Sequence, residues 1–373
     1  MRIGMLGLKG IPFPGGIENF TEEVGWRLAA RGHDVRTYVR PYVEVGDTYR
    51  GMRIRRLPSV NTKHLDALTH TFLASLHVLG SDLDVVHYHA LGPSVFSWMP
   101  RVRGLKTIVQ VHGLDWQRAK WSAVASACIK AAEFSAMHFP HRTMVISEAL
   151  KSYFEAKYRH RVDYVPTGVN EYAYREPREI TKWGLDKENY ILFLARLVPE
   201  KGCHYLIQAY EALAPDKKLV IAGPCGSEPS YCEELTRHAG PNVIFTGAVA
   251  GAVMEELFAN AYTFVVPSEI EGLSHALLQG LSSGRCVLAS DIAPNIEALG
   301  GCGLTFRSGD VGDLRDQLQF LLDHPEFVEG CSSPAHARVH EHYAWDTVVD
   351  RLETVYADCC GMPVADLTSP VVQ

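Results

Sequence analysis

The chain has 373 residues, with 36 Lys and Arg against 43 Asp and Glu, a net charge of −7. An apolar fraction of 47% supports sizeable cores, and 21% charged residues exclude a chain that stays unfolded as a whole. The acidic balance gives no global electrostatic reason to coat nucleic acid, and no run reaches the ~18 apolar residues of a membrane-crossing helix.

At about 150 residues per domain the length predicts two domains, or three. Arg2–Leu8 reads as a short buried strand, followed by a glycine- and proline-rich turn from Gly10 to Gly16. Ile17, Phe20, Val24 and Leu28 recur at helical spacing, so Ile17–Arg31 is predicted to be an amphipathic helix. Gly32 ends it, and Val35, Thr37 and Val39 alternate as the next strand. Strand, loop, helix and strand in this order predict a parallel, doubly wound sheet. Arg53, Arg55 and Arg56 make a small basic run that reads as a solvated strand edge. Further strands are expected at Asp84–His89, Thr107–His112, Thr143–Ile146 and Arg161–Val165, with Ser147 placed to cap a helix. Glu171 to Gly184 has little periodicity and reads as a linker.

The second half repeats the rhythm. Strands are predicted at Tyr190–Ala195, Lys218–Ala222, Val243–Thr246, Tyr262–Val266, Cys286–Ala289 and Gly303–Phe306. Helices are predicted between them at Lys201–Leu213, Tyr231–His238, Ala252–Asn260, Ser274–Ser282 and Val311–Leu322. After His336 the chain is helical again through Trp345, Val349, Leu352 and Tyr356, and Gly361–Gln373 is expected to fray. The nine cysteines are irregularly spaced and contain no Cys-x-x-Cys pair. Reduced thiols in a cytosolic protein are expected, with no zinc ribbon and no disulfide framework. The N-terminal apolar run is too short for a signal-peptide core.

In open parallel sheets, ligands bind beyond the carboxyl ends of the strands. After the first strand, Gly15 and Gly16 open a helix. Glycine lets backbone amides approach a phosphate, or simply permits tight packing. The spacing is neither Gly-x-Gly-x-x-Gly nor the phosphate loop of nucleoside-triphosphate hydrolases. After Tyr190–Ala195 come Arg196 and Lys201, two cations whose charge-assisted bonds would hold a diphosphate as it leaves. The competing reading is a surface salt bridge with Glu200. After Tyr262–Val266, Glu271 stands on the strand-to-helix loop. The amides near Ser274, His275 and Ala276 mark a helix N-terminus, a second anion site. Gln279 follows eight residues after Glu271. His87 and His89 face one side of a strand and read as a cleft wall or, with a third ligand, as metal ligands. Trp116, Arg118, Lys120 and Trp121 suit an acceptor or membrane interface, or the partly buried start of a helix.

Glu271-Gly272-Leu273 with the Ala276–Leu281 helix and Gly284 resembles the signature of the retaining glycosyltransferase family 4. Arg196-Leu197-Val198-Pro199-Glu200-Lys201-Gly202 resembles its donor-diphosphate motif, Val111-His112-Gly113-Leu114-Asp115 its first-domain histidine motif, and Val165-Pro166-Thr167-Gly168-Val169 its inter-domain segment. The opening through Gly15-Gly16-Ile17-Glu18 resembles a rhamnosyltransferase-like bacterial branch. The resemblance implies an α/β protein of GT-B fold, two Rossmann-like doubly wound parallel-sheet domains facing a central cleft. Residues 1–172 would form the acceptor-side domain and 173–340 the nucleotide-sugar domain. Residues 341–360 would form a helix crossing back to the first domain, and 361–373 a flexible tail.

It further implies that Glu271 contacts the transferred sugar and that Arg196 and Lys201 hold the diphosphate, with the Gly16 amides closing over it. His112 would sit near donor sugar and acceptor, or be an ordinary buried histidine. No metal and no cofactor are expected. The partners would be a nucleotide-sugar donor and a glycan or lipid-linked acceptor, handled in the cytoplasm with peripheral contact at the inner membrane. Gln279 departs from the family's second glutamate, which binds ribose, so donor binding is expected to be weakened or retuned. Thr167 replaces the usual asparagine. A non-catalytic nucleotide-sugar sensor, or a hydrolase, epimerase or phosphorylase on a similar fold, is the alternative.

Overall fold

The structure is a computed structural model that describes residues 1–62, 65–118, 121–171, 173–226 and 229–363. Lys120 and most of the expected tail, from residue 364 on, lie outside the described residues. The chain divides into two compact units. One holds Met1–Gln117, Trp121–Thr167 and the stretch from Trp345 onward, and the other is centred on Gly168–Ala344.

The first unit is built on an eight-stranded sheet. Its strands are β1 (Arg2–Leu6), β2 (Asp34–Val39), β3 (Thr48–Tyr49), β4 (Met52–Arg56), β5 (Val85–His89), β6 (Lys106–Val111), β7 (Arg142–Val145) and β8 (Asp163–Tyr164). They lie in the order β3-β4-β2-β1-β5-β6-β7-β8, parallel throughout except for the β3–β4 pair. The helices are α1 (Gly16–Ala30), α2 (Asp66–Val78), the single turn α3 (Leu91–Ser94), α4 (Ala123–His138) and α5 (Glu148–Tyr158). Ser147 caps α5 as its position predicts, its hydroxyl accepting from the Leu150 amide at 3.3 Å. The arginine run falls on β4, where Met52 and Ile54 turn inward and Arg53, Arg55 and Arg56 are exposed; the two-residue β3 pairs only with Met52 and Arg53, so the Arg55–Arg56 end is a solvated strand edge as expected.

The second unit has six parallel strands: β9 (Tyr190–Leu194), β10 (Lys218–Ala222), β11 (Val243–Gly247), β12 (Thr263–Val266), β13 (Cys286–Ser290) and β14 (Gly303–Phe306). Their order is β11-β10-β9-β12-β13-β14. Around them lie α6 (Cys203–Leu213), α7 (Pro229–His238), α8 (Gly251–Asn260), α9 (His275–Ser282), α10 (Ala293–Leu299), α11 (Val311–Asp323), α12 (Pro325–Gly330) and α13 (Ser332–His342). In each sheet the strand order reverses beside the first strand, between β1 and β5 and between β9 and β12. A crevice opens beyond the strand ends at such a point. The loops that leave β1, β5, β9 and β12 are therefore the places to look for chemistry.

The last helix, α14 (Trp345–Cys360), packs on α1 in the first unit. Val348, Val349, Leu352 and Tyr356 are buried in the same core as Ile3, Met5, Phe20, Val24 and Leu28. Each such side chain contributes about 2 kcal/mol by leaving water. At the rim of this contact Glu353 accepts from Arg31 Nη1 at 2.7 Å and lies 2.8 Å from His33 Nε2.

The expectation of reduced thiols throughout is corrected at one place. Cys225 and Cys232 form a disulfide, because α7 brings Cys232 back to within 6.0 Å, Cα to Cα, of Cys225. The other seven cysteines are free thiols. Among the described residues no helix is long and apolar enough to cross a membrane.

Candidate active site

In the second unit the loops leaving β9 and β12 meet each other. The β9 loop ends in a 3-10 turn, Pro199–Lys201, closed by Gly202 in the left-handed conformation. A Cβ on Gly202 would lie 2.0 Å from the Pro267 carbonyl oxygen, so only glycine lets the two loops come this close. The Glu269 amide donates to the Glu200 carbonyl at 3.0 Å and fixes the approach.

The approach sets Lys201 Nζ 2.5 Å from Glu271 Oε1, with 21% and 9% of the two side chains exposed. Two of the residues singled out from the sequence are thus one ion pair, and Lys201 pairs with Glu271 rather than with Glu200. Tyr205 Oη, which sequence reasoning did not single out, donates to Glu269 Oε1 at 2.7 Å and braces the same loop.

Arg196 is exposed on the stretch that follows β9. That stretch runs beside residues 222–226 through Ala195 N to Ala222 O and Leu197 N to Pro224 O, at 3.1 and 2.9 Å. Among the described residues the Arg196 side chain forms no ion pair with Glu271, so the two predicted cations are not placed alike.

Ser274 caps α9, its Oγ accepting from the Leu277 amide at 3.3 Å and its carbonyl from the Leu278 amide at 3.1 Å. The first-turn amides of His275 and Ala276, half-buried, are left at the positive end of the helix, where anions are favoured. Gln279 lies on the same helix but is only 6% exposed, with Nε2 3.9 Å from Met254 Sδ of α8.

In the first unit, Gly15 and Gly16 open α1 at the end of the loop that leaves β1. A Cβ on Gly16 would meet nothing within 4 Å, so a ligand could approach its backbone. A Cβ on Gly15 would fall 2.1 Å from Glu18 Oε2. Glu18 is buried in the first turn, and its Oε1 accepts from the Lys9 amide at 3.1 Å. The sequence thus supplies its own carboxylate to this helix start, which offsets part of the attraction for a phosphate.

His112 stands just beyond β6, half-buried, with Nε2 3.1 Å from Nδ1 of His89 at the end of β5. The His87 and His89 ring centres lie 4.1 Å apart with the rings tilted by 38°, and His87 Nδ1 lies 2.8 Å from Tyr356 Oη of α14. Phe20 covers both His89 and His112 from α1. Burial pushes the His87 imidazole down to about 3 and the His89 imidazole well below its ordinary range, and each is helped by repulsion from neighbouring histidines. Both rings are neutral at physiological pH. They are interior residues and not a cleft wall, since neither side chain reaches solvent. Among the described residues no group of three or more His, Cys, Asp or Glu is arranged to hold a metal ion.

Trp116 Nε1 donates to Glu133 Oε1 at 2.6 Å, and Lys130 Nζ lies 4.5 Å from the centre of its ring. Glu133 is fully buried and also accepts from Tyr153, Lys157 and Tyr158. Trp116 is therefore anchored inward, as the reading of a partly buried helix start expects. The signal for Glu133 was weak in the sequence, because an acid inside a helix usually faces water.

Residues 14–171 match the family model for Glycosyltransferase Family 4, and residues 188–324 that for Glycosyl transferases group 1. The chain is 25% identical to an uncharacterized glycosyltransferase of Methanocaldococcus jannaschii, over 95% of this chain and 98% of that one. Its fold is similar to sucrose-phosphate synthase from Thermosynechococcus elongatus, with TM-score 0.82, 18% identity and coverage of 96% and 98% of the two chains. It is also similar to Anabaena HepE in complex with UDP-glucose, with TM-score 0.79, 16% identity and coverage of 96% and 100%.

Proposed function

We propose that this chain, which is a glycosyltransferase of GT-B fold, transfers a hexosyl group from a nucleoside-diphosphate sugar to a glycan or lipid-linked acceptor, with retention at the anomeric carbon and without a metal. The observation that carries the donor half is the Lys201–Glu271 pair, held at the strand-order reversal of the second sheet by loops that only Gly202 lets meet. Before the donor binds, each charge satisfies the other. In the complex the ammonium turns its hydrogen bonds to diphosphate oxygens, while the carboxylate accepts from hexose hydroxyls. Both are charge-assisted bonds. The His275 and Ala276 amides take part of the remaining phosphate charge. Arg196, on its exposed stretch, meets the same phosphates once the donor is present. His112 hydrogen-bonds a hydroxyl of the transferred sugar.

In the transfer step the bond between the anomeric carbon and the diphosphate oxygen breaks and a bond to the acceptor oxygen forms on the same face. The departing phosphate oxygen takes the acceptor's proton. The negative charge that grows on the diphosphate is what Lys201, Arg196 and the α9 amides stabilise, and this stabilisation lowers the barrier. UDP-glucose in the Anabaena HepE structure supports a nucleotide sugar as the donor here. We place the reaction in the cytoplasm.

The deciding experiment is a thermal-shift screen of UDP-, GDP-, ADP- and dTDP-sugars with a chelator present, followed by turnover of any hit. A donor at a hundred times its Kd stabilises the fold by about 2.7 kcal/mol. If no activated sugar shifts the melting temperature, the donor assignment fails. If a shift appears only when a divalent ion is added, metal independence fails.

A further inference from the structure

We infer that the outer face of α2, with the turn that follows α3, is a docking surface for an anionic lipid bilayer. Leu65, Leu68, Phe72 and Leu76 are 48%, 39%, 42% and 43% exposed. At 100° per residue they share an arc of about 80° along one side of the helix. The only acid on α2, Asp66, is turned inward, where it is paired with Arg40 and accepts from Tyr42 Oη and Ser59 Oγ at 2.8 and 2.7 Å. A helix on the surface of a globular unit normally shows charge on its outer side. This one shows apolar side chains instead.

The patch continues beyond the helix. The Phe72 ring packs 5.6 Å from Phe96, and the chain then presents Trp98 at 49% and Val102 at 74% exposure. Arg101 and Arg103 are exposed beside them, with Arg101 also donating to the Phe139 carbonyl. No Asp or Glu occurs between Asp66 and Asp82, nor between Asp84 and Asp115. The surface thus joins an apolar centre and an indole to two exposed arginines, and the segments that form it carry no outward acid, the composition that suits an anionic headgroup boundary. A second copy of the chain, stacked patch to patch, would bring four arginines together with no acid to neutralise them. The expected membrane region around Trp116 is a poorer candidate, because that ring is held by Glu133 and covered by Lys130.

The inference deepens the acceptor half of the proposed function, since a bilayer-docked transferase reaches a lipid-linked acceptor. It does not depend on the donor chemistry. The test is flotation of the full chain with vesicles of phosphatidylcholine alone and of phosphatidylcholine mixed with phosphatidylglycerol. Binding is expected on the mixed vesicles only, and it should weaken as salt rises. Phe72→Ser with Leu76→Ser should cut the partition coefficient about tenfold or more, and Arg103→Glu about fivefold or more. Both variants should keep the donor-induced shift, which reports separately on the donor assignment, and Arg103→Glu should also keep the wild-type melting temperature. Absence of co-flotation, or equal binding by the variants, overturns the inference. So does a concentration-dependent wild-type dimer that Phe72→Ser with Leu76→Ser dissolves, since the patch would then be a self-interface.

Discussion

His89 Nδ1 and His112 Nε2 are 3.1 Å apart, so one nitrogen of the pair carries the proton that joins them. The bond fixes the tautomer and the ring orientation of His112. His89→Phe keeps the ring volume and removes the partner. It should lower kcat about tenfold, the worth of one hydrogen bond of about 1.4 kcal/mol. His89→Asn, whose side chain can reach the same nitrogen, should recover most of that loss. If the two variants lose activity in step with their melting temperatures, His89 serves the core only and does not position His112.

The same cluster makes stability depend on pH. A buried neutral histidine resists protonation, while in the unfolded chain it titrates near 6.5. Acid therefore favours the unfolded chain. The stability that His87 and His89 supply is fully present above about pH 6.5. It is lost as pH falls from there towards about 3, where His87 titrates. Each ring should steepen the loss by about 1.4 kcal/mol per pH unit within that window. Urea unfolding followed from neutral pH to about 5 should show this slope, and His87→Leu with His89→Leu should flatten it. An unchanged slope in the double variant would remove the histidines as its source.

These histidines show what the sequence made legible. Alternation along Val85–His89 put His87 and His89 on one face, and the motif ending in His112 put a third ring at the next strand end. Their burial was not legible, because the covering comes from Phe20 on α1 and Tyr356 on α14, far away in the chain. The strand-and-helix rhythm of the second half was plain, since each buried parallel strand is a continuous apolar run. The segment from Thr48 to Val78 was not. Its β3 is two residues long, and the apolar positions of α2 lie partly on its outer face, so no clear inward stripe marks the helix. The Cys225–Cys232 bond escaped because irregular spacing carries no pairing information. The Lys201–Glu271 pair was readable as two charges near one sheet edge but not as a contact, because the distance is set by the close approach at Gly202.

That approach gives a second test. Gly202 has φ +67° and faces the Pro267 carbonyl, so Gly202→Ala meets both a strained backbone and a steric clash. The variant should lose about 1–3 kcal/mol of stability. It should also bind the donor more weakly, because Lys201 and Glu271 would be pushed apart. Gly16→Ala, where a Cβ meets open space, is the control and should change stability far less. Equal losses of stability from the two would argue against the loop contact.

Removing either member of the pair should act on the chemistry. The two side chains are largely covered, 21% and 9% exposed, so a variant that strands the partner's charge also loses stability. Lys201→Ala should lower kcat by about a hundredfold or more, as expected when a group that meets charge growing in the transition state is lost. Glu271→Gln keeps the shape and should cost a similar factor through weaker bonds to the sugar. The melting temperature should fall more for Lys201→Ala, which leaves Glu271 unpaired, than for Glu271→Gln, so turnover is compared at a temperature where each variant is folded. Full turnover by either variant would displace the pair from the reaction.

Gln279 offers a test in the opposite direction. Its side chain is nearly covered and its amide lies against Met254, in surroundings that solvate a charge poorly. Gln279→Glu should therefore lower the stability of the free protein, by about 1–3 kcal/mol at neutral pH. If the nucleotide ribose reaches this helix, its hydroxyls donate to the new carboxylate more strongly than to the amide. The variant should then bind the donor more tightly, and donor should return part of the lost stability, so that its ligand-induced melting shift exceeds that of the wild type. Calorimetric titration of the preferred donor into both proteins separates the two effects. A destabilised variant with unchanged donor affinity would place the ribose elsewhere and leave Gln279 as a packing residue between α8 and α9.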